Sequence, residues 1–221
     1  MKLLALETAN EQCSVSIVDE TKTLFFQLDT RAKAQTQTIL PMIEQGFEQT
    51  QTQNSDLTVI AFSRGPGSFS GVRINAAVTQ ALAWANDIPV IPVSTLQALA
   101  QAAYRLLGLA EVSAVLDARM KEVYMASFRL NENNIMQLVD EEKLLDYQQA
   151  SDYQKFTLVG SGSALVKPDA IEFQGLVANA EDIATIARQH ALQQDWLSAE
   201  LALPVYLRDD AWKKIPEQGK P

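Results

Sequence analysis

The chain has 221 residues, of which 47% are hydrophobic and 20% are charged, values that suit one large or two small globular domains with their own cores. Its 27 acidic and 18 basic side chains give a formal charge of −9. Proteins that bind nucleic acids by themselves present a basic surface that releases counterions, so this chain is a poor candidate for binding nucleic acid alone.

The chain carries one cysteine, Cys13, which excludes an internal disulfide and fits a reducing compartment. Cys13 lies in an apolar run, where a small buried residue is expected rather than a nucleophile. Residues 1–6 briefly resemble a signal peptide, but Glu7 interrupts them, and no apolar stretch reaches membrane-spanning length. We therefore expect a cytoplasmic protein with no membrane partner.

The first half of the chain predicts an antiparallel meander of strands, followed by alternating helices and strands. The predicted strands lie at 2–8, 13–19, 23–28, 57–63 and 89–93. The predicted helices lie at 32–49, 71–86 and 95–107. Pro41 starts or kinks the first helix, and Gly108 ends the last.

The second half begins with the same strand-rich pattern and ends in a helix. Its predicted strands lie at 112–117, 122–130 and 156–160, and its predicted helix at 180–193. The segment 131–155 is acidic, rich in Gln and without a clear period. We divide the chain into units 1–108 and 109–221, with a tail at 203–221 that could pack back on the first unit. The pattern alone predicts an α/β protein with mixed sheets.

The most distinctive stretch is Arg64-Gly-Pro-Gly-Ser-Phe-Ser-Gly-Val-Arg73, between a predicted strand and a predicted helix. Gly65 and Gly67 allow backbone angles that other side chains disfavour, and the free N–H groups of the following helix could bind an anion. The spacing matches neither the dinucleotide fingerprint nor a P-loop. An anion site and a tight strand-to-helix connection both stay open, and we expect a mainly architectural loop in which Gly67 needs positive φ.

Residues suited to metal or nucleophilic chemistry are scarce. His190 is the only histidine, and it lies among polar residues, where a solvated side chain is expected. The sequence has no His or Cys pair at metal-ligand spacing and no G-x-S-x-G nucleophile elbow. It therefore predicts neither a metal site nor catalytic residues.

The helix predicted after the glycine-rich stretch has no charged residue between Ile74 and Asn86. Solvated helix faces usually carry charge, whereas small uncharged residues allow close helix packing and mark interface cores. A helix buried within its own domain is the alternative. On the interface interpretation, Ala76→Glu or Ala83→Glu separates the subunits without unfolding them. The predicted partner surface comprises Ile39, Ile43, Asn75, Ala76, Thr79, Gln80 and Ala83.

Several blocks together resemble the TsaB (YeaZ) family. They lie at 3–8, 37–42, 64–73, 93–96, 116–119, 122–124, 204–208 and 211–214. The resemblance implies two tandem actin/hexokinase/Hsp70-like domains, of the ribonuclease-H-like type, with mixed sheets flanked by helices. It also implies a non-catalytic relative of the TsaD subunit, which installs threonylcarbamoyl on adenosine 37 of tRNA.

The partners implied by the resemblance are a TsaD-type subunit, a TsaE-type ATPase reached through the complex, and a second copy of the chain in a homodimer. The tRNA would be contacted only indirectly. No cofactor is expected for this chain, because ATP would be bound by the partner subunits. A small-molecule kinase or ATPase of the same superfamily is the alternative function.

Superfamily members line a nucleotide cleft with two phosphate loops and an adenosine-binding loop. This chain departs from the family's usual pattern, since Glu7 replaces an Asp, and Gln35 or Gln37 stands where many members have a His. At each place a turn or an ion pair is the alternative to a vestigial nucleotide site. The matching residues are Glu7, Thr8, Asp117, Arg119, Gly160 and Gly162.

Overall fold

The structure, a computed structural model, describes residues 1–208, which form two mixed β-sheets with helices on their faces. The helices are α1 (Gln35–Thr50), α2 (Phe69–Ala85), α3 (Thr95–Leu107), α4 (Tyr147–Tyr153), α5 (Ser163–Val166) and α6 (Ala180–Leu192). The strands are β1 (Lys2–Glu7), β2 (Cys13–Asp19), β3 (Thr23–Asp29), β4 (Val59–Gly65), β5 (Val90–Ser94), β6 (Glu111–Arg119), β7 (Glu122–Leu130), β8 (Met136–Leu138), β9 (Lys143–Asp146) and β10 (Thr157–Val159). Within this range no helix is both long enough and apolar enough to cross a bilayer.

The first sheet has the strand order β3-β2-β1-β4-β5. Strands β1 to β3 form the predicted antiparallel meander, and β4 and β5 run parallel to β1. Because β1 and β4 lie in the middle of the sheet and both of their faces are covered, their side chains are buried at nearly every position. This explains why both strands appear in the sequence as continuous apolar runs.

Helices α1 and α2 cover one face of the first sheet. Ile39 and Ile43 of α1 and Ala76 and Ala83 of α2 lie in the apolar core that they share with β1, β2 and β4. Pro41 lies inside α1, on its exposed side. The face of α2 that contacts the sheet therefore includes residues assigned from the sequence to a partner surface.

The second sheet has the order β10-β6-β7-β8, with β9 also paired to β7. It grows from the β6–β7 hairpin, and β10 joins β6 in parallel. Strands β8 and β9 and helix α4 occupy the segment 131–155, which has no clear period in the sequence. These elements span only three to seven residues each, too few for a helical or alternating pattern to become evident.

Helix α6 returns to the first sheet. Ile183, Ile186 and Ala187, its predicted apolar stripe, are buried against β1, β4 and β5, and the Ala180 N–H donates to Ser14 Oγ at 2.9 Å. Helix α3 contributes to both cores, with Ala98 in the first and Leu96 in the second. A cut at residue 108 therefore does not separate two packing units, because α6 completes the core of the first.

The strap, defined as residues 203–208, also returns to the first unit. The Val205 N–H donates to the Arg64 carbonyl at 2.8 Å, while Arg208 pairs with Glu122 of β7 at 2.6 Å. Residues 203–208 therefore contact both the first unit and the second sheet. The rest of the predicted tail, 209–221, lies outside the described residues.

Candidate functional site

The glycine-rich loop between β4 and α2 lies directly on the turn that follows β1. The Ser68 N–H donates to the Ala9 carbonyl at 2.7 Å, and the Thr8 hydroxyl donates to the Gly71 carbonyl at 2.7 Å. A Cβ on Gly67 would collide with the Ala9 carbonyl, and one on Gly71 with the Thr8 carbonyl. Two backbones approach so closely here that only glycine fits.

The expectation that Gly67 needs positive φ is wrong. Positive φ occurs at Gly65, whose φ is +104°, whereas Gly67 has no positive φ and is required for close approach. Ser68 caps α2 by accepting the Gly71 N–H at 3.4 Å. The loop thus sets where α2 begins.

Glu7 is buried at the end of β1, beneath this loop. Its carboxylate accepts the Ala9 N–H at 2.5 Å, and the nearby Asn10 backbone and Ser63 side chain also favour its ionised form and lower its pKa. Burial outweighs these hydrogen bonds and raises the pKa of Glu7 to about 7. Asn75 of α2 extends the network, since its side-chain N–H groups donate to Ser63 Oγ at 2.7 Å and to the Leu6 carbonyl at 3.1 Å.

The first candidate phosphate loop is therefore filled by groups of the chain itself. The Ala9 N–H of its turn donates to Glu7, a negative group when ionised, and the glycine-rich loop covers Thr8 and Ala9 from outside. A phosphate would need the same donors and the same space. This arrangement disfavours an incoming anion at Glu7 and Thr8.

The second and third candidate loops lie beside each other. The Asp117 N–H donates to Ser161 Oγ at 3.1 Å, between Gly160 and Gly162. The Asp117 carboxylate accepts the Arg119 N–H at 2.8 Å and pairs with the Arg119 guanidinium at 3.1 Å. This is the ion-paired turn that the sequence left open as an alternative. Among residues 1–208, no hydrogen bond or ion pair links this pair of loops to Glu7 or Thr8.

Other polar positions singled out from the sequence have local roles. Gln35 is buried and donates to the Asn10 carbonyl at 3.0 Å, while Gln37 is exposed. His190 pairs with Asp195 at 2.7 Å. Within the described range, no three His, Cys, Asp or Glu side chains are placed to hold a metal ion.

Most residues of the predicted partner surface are buried within this chain. Asn75, Thr79 and Ala83 are fully buried, and Ala76, Ile39 and Ile43 are nearly so. Gln80 is half-buried and donates to the Glu200 carbonyl at 3.1 Å. The six buried side chains face the first sheet, so they are not available to a partner, and a glutamate at 76 or 83 would enter the core.

The opposite side of α2 is the surface that the sequence reasoning missed. It presents Arg73, Ala77, Ala81 and Trp84 at helical spacing, and Phe69 lies one turn before Arg73. Trp84 is 80% exposed and Phe69 is 64% exposed. We call these five residues the α2 face. The absence of charge from 74 to 86 was the available signal, but it did not show which side of the helix meets the sheet.

The chain is similar in sequence and in structure to known proteins. A family model described as "TsaD: tRNA N6-adenosine threonylcarbamoyltransferase" matches residues 29–209. The chain is 39% identical to the tRNA threonylcarbamoyladenosine biosynthesis protein TsaB of Escherichia coli strain K12, over 98% of this chain and 99% of that protein. It is 34% identical to the protein of the same name from Haemophilus influenzae, over 98% of each chain. The solved structure titled YeaZ from Pseudomonas aeruginosa superimposes with a TM-score of 0.84 at 34% identity, over 93% of this chain and 99% of that one. The predicted fold class is thereby confirmed.

The buried Glu7 carboxyl makes stability depend on pH. Because its pKa rises from 4.5 to about 7 on folding, its contribution is most favourable below pH 4.5 and declines as the pH rises to 7. The loss amounts to about 3 kcal/mol above pH 7. Glu7→Gln should remove this decline, so the variant should gain stability relative to the parent between pH 5 and pH 8.

Urea unfolding across that pH range measures the difference. Asp182, whose pKa is also raised by burial, is present in both proteins and cancels. Glu44→Gln, an exposed exchange on α1, is the control and should parallel the parent. If the free energy of unfolding of Glu7→Gln changes with pH in parallel with that of the parent, the pKa of Glu7 is not raised on folding.

Gly67→Ala tests the architectural role of the loop. Its methyl group would collide with the Ala9 carbonyl, and we expect a loss of about 1–3 kcal/mol in the free energy of unfolding. Gly175→Ala is the matched control, because a Cβ there meets nothing within 4 Å. Unchanged melting of Gly67→Ala together with lost tRNA modification would instead identify the loop as a ligand site.

Proposed function

This chain belongs to the TsaB family of tRNA threonylcarbamoyladenosine biosynthesis proteins, and on that premise we propose that it is an accessory subunit without an active site of its own. In this proposal it binds a TsaD-type subunit that transfers threonylcarbamoyl to adenosine 37 of tRNA. A TsaE-type ATPase joins through the complex, and a free pool forms homodimers. This chain contacts the tRNA only indirectly, through the partner.

The arrangement around Glu7 supports the absence of an active site. In nucleotide-binding relatives of this fold, a phosphate loop follows the first strand. In this chain the corresponding turn binds Glu7 and is covered by the glycine-rich loop. The same arrangement argues against the alternative of a small-molecule kinase or ATPase, which would need those donors for phosphate.

The observation that carries the partner role is the α2 face. A tryptophan that is 80% exposed lies on a helix without charge from 74 to 86. Exposed patches of this kind mark protein interaction sites, and small residues such as Ala77 and Ala81 allow another helix to approach closely. Leu201 and Leu203 are also exposed, and they lie close in the chain to Glu200, whose carbonyl accepts a hydrogen bond from Gln80 of α2. The candidate surface is therefore the outward side of α2 and not the inward side predicted from the sequence.

Substitutions on this face test the partner role. Ala81→Glu introduces a charge into the contact, and Trp84→Ala removes its largest apolar side chain. Each should weaken binding to the TsaD-type subunit of the same organism by about 10-fold or more, because interface aromatics and desolvated charges dominate affinity. Titration of the purified subunits, with melting curves to verify folding, measures the effect.

Two controls separate binding from folding. Ala110→Glu and Leu107→Glu change exposed residues beside the second sheet and should leave affinity unchanged. Ala83→Glu should lower the melting temperature, because it places a carboxylate in the core. If Ala81→Glu and Trp84→Ala bind as tightly as the parent, the partner surface lies elsewhere.

The isolated chain should not hydrolyse ATP or GTP above background and should hold no stoichiometric zinc or iron. The reason is the filled turn at Glu7 and a sequence without a metal-ligand pair. Phosphate release and elemental analysis of the purified protein provide the measurement. Turnover that scales with protein concentration, or one metal per chain removable only by chelation, would contradict the accessory role.

A further inference from the structure

Arg73 lies between two exposed aromatic rings at the start of the α2 face. Its guanidinium carbon is 3.3 Å from the centre of the Phe69 ring and 5.0 Å from that of Tyr206. Phe69 is 64% and Tyr206 48% exposed. We call these three residues the Arg73 cluster. Stacking on both rings restrains the guanidinium, so less rotamer freedom is lost when a ligand binds it.

The charge of Arg73 has no acidic partner within residues 1–208. Its one hydrogen bond there runs from Nη1 to the Phe69 carbonyl at 3.0 Å. Six of the other seven arginines in this range pair with carboxylates, namely Arg31, Arg64, Arg105, Arg119, Arg129 and Arg208. Of the five N–H donors that a guanidinium carries, most of those of Arg73 are therefore open among the described residues, in a chain with nine excess negative charges.

The strap holds Tyr206 in place from both sides. On one side, the Val205 N–H binds the Arg64 carbonyl at 2.8 Å. On the other, Arg208 pairs with Glu122 at 2.6 Å and donates to the Ala118 carbonyl at 3.2 Å. The cluster is thus assembled from two distant parts of the chain and is anchored to both sheets.

We propose that Arg73 binds a carboxylate side chain of the TsaD-type subunit and thereby fixes the register in which that subunit contacts the α2 face. A guanidinium offers parallel N–H donors that match a carboxylate, and aromatic residues with arginine form the usual hot spots of protein interfaces. The cluster continues directly into Ala77, Ala81 and Trp84. This inference rests on the proposed function.

A phosphate of nucleic acid presents similar oxygens, but the surroundings favour a protein carboxylate. A chain of charge −9 repels a polyanion, and the rest of the α2 face offers uncharged apolar surface instead of further basic residues. Phe69 and Tyr206 then exclude water around the ion pair, which strengthens it.

The test compares Arg73→Gln and Arg73→Lys in titrations with the TsaD-type subunit at low and high salt. Arg73→Gln should bind about 10- to 100-fold more weakly, and its affinity should depend less on salt than that of the parent. Arg73→Lys should be intermediate, because it keeps the charge and loses the planar pair of donors. Arg129→Gln, on the second sheet, should bind like the parent, and all variants should melt like it.

A charge exchange identifies the partner group. Arg73→Glu should bind more weakly still, and a lysine in place of one acidic residue of the TsaD-type subunit should restore affinity. If Arg73→Gln binds like the parent while Trp84→Ala does not, the inference is overturned and the proposed function stands. If neither substitution weakens binding, the α2 face itself is not the partner surface.

Two further results would overturn the inference. In the first, Arg73→Gln keeps its affinity for the TsaD-type subunit but no longer crosslinks to tRNA, which would show that Arg73 binds a phosphate. Asp209 and Asp210 follow the strap in the sequence, outside the described residues. Joint replacement of both by Asn tests whether one of their carboxylates pairs with Arg73 inside this chain. If this replacement weakens binding to the TsaD-type subunit as much as Arg73→Gln does, and combining the two weakens it no further, the carboxylate belongs to this chain.

Discussion

The close contact between the glycine-rich loop and the β1–β2 turn is the constraint on which the rest of the structure depends. Two backbone segments meet there with no room for a Cβ at Gly67 or Gly71. The Ser68–Ala9 and Thr8–Gly71 hydrogen bonds satisfy polar groups that the contact removes from water. Because the loop ends in the cap of α2, this contact sets where that helix begins and how it lies on the first sheet.

Beneath the loop, Glu7, Ser63 and Asn75 join β1, β4 and α2 in one buried polar network. One oxygen of Glu7 and the side-chain oxygen of Asn75 have no partner there among the described residues, which is costly in a closely packed interior. Protonation of Glu7 near neutral pH lowers part of that cost. Through this network the turn after β1 is part of the protein's own core.

The same geometry gives α2 two unlike sides. The inward side carries Asn75, Thr79 and Ala83, buried against the sheet, and the outward side carries Ala81 and Trp84. The strap contacts the outward side through Tyr206, which lies against Arg73, and Arg208 links it to the β6–β7 hairpin. A partner that binds α2 would therefore also contact a segment anchored to the second sheet. This joins the proposed interface to both halves of the molecule.

The sequence by itself determined the strands of the first sheet, the principal helices, the glycine-rich loop and the lack of metal-ligand pairs. These depend on local patterns: apolar runs, capping residues and glycine spacing. Only the tertiary structure decided that α6 completes the first core, that Glu7 fills its own turn, and which side of α2 is exposed. In α2 the apolar and small residues surround the helix, so periodicity could not distinguish the side facing the sheet from the side facing solvent. That distinction depends on contacts between residues far apart in the chain, which no local pattern encodes.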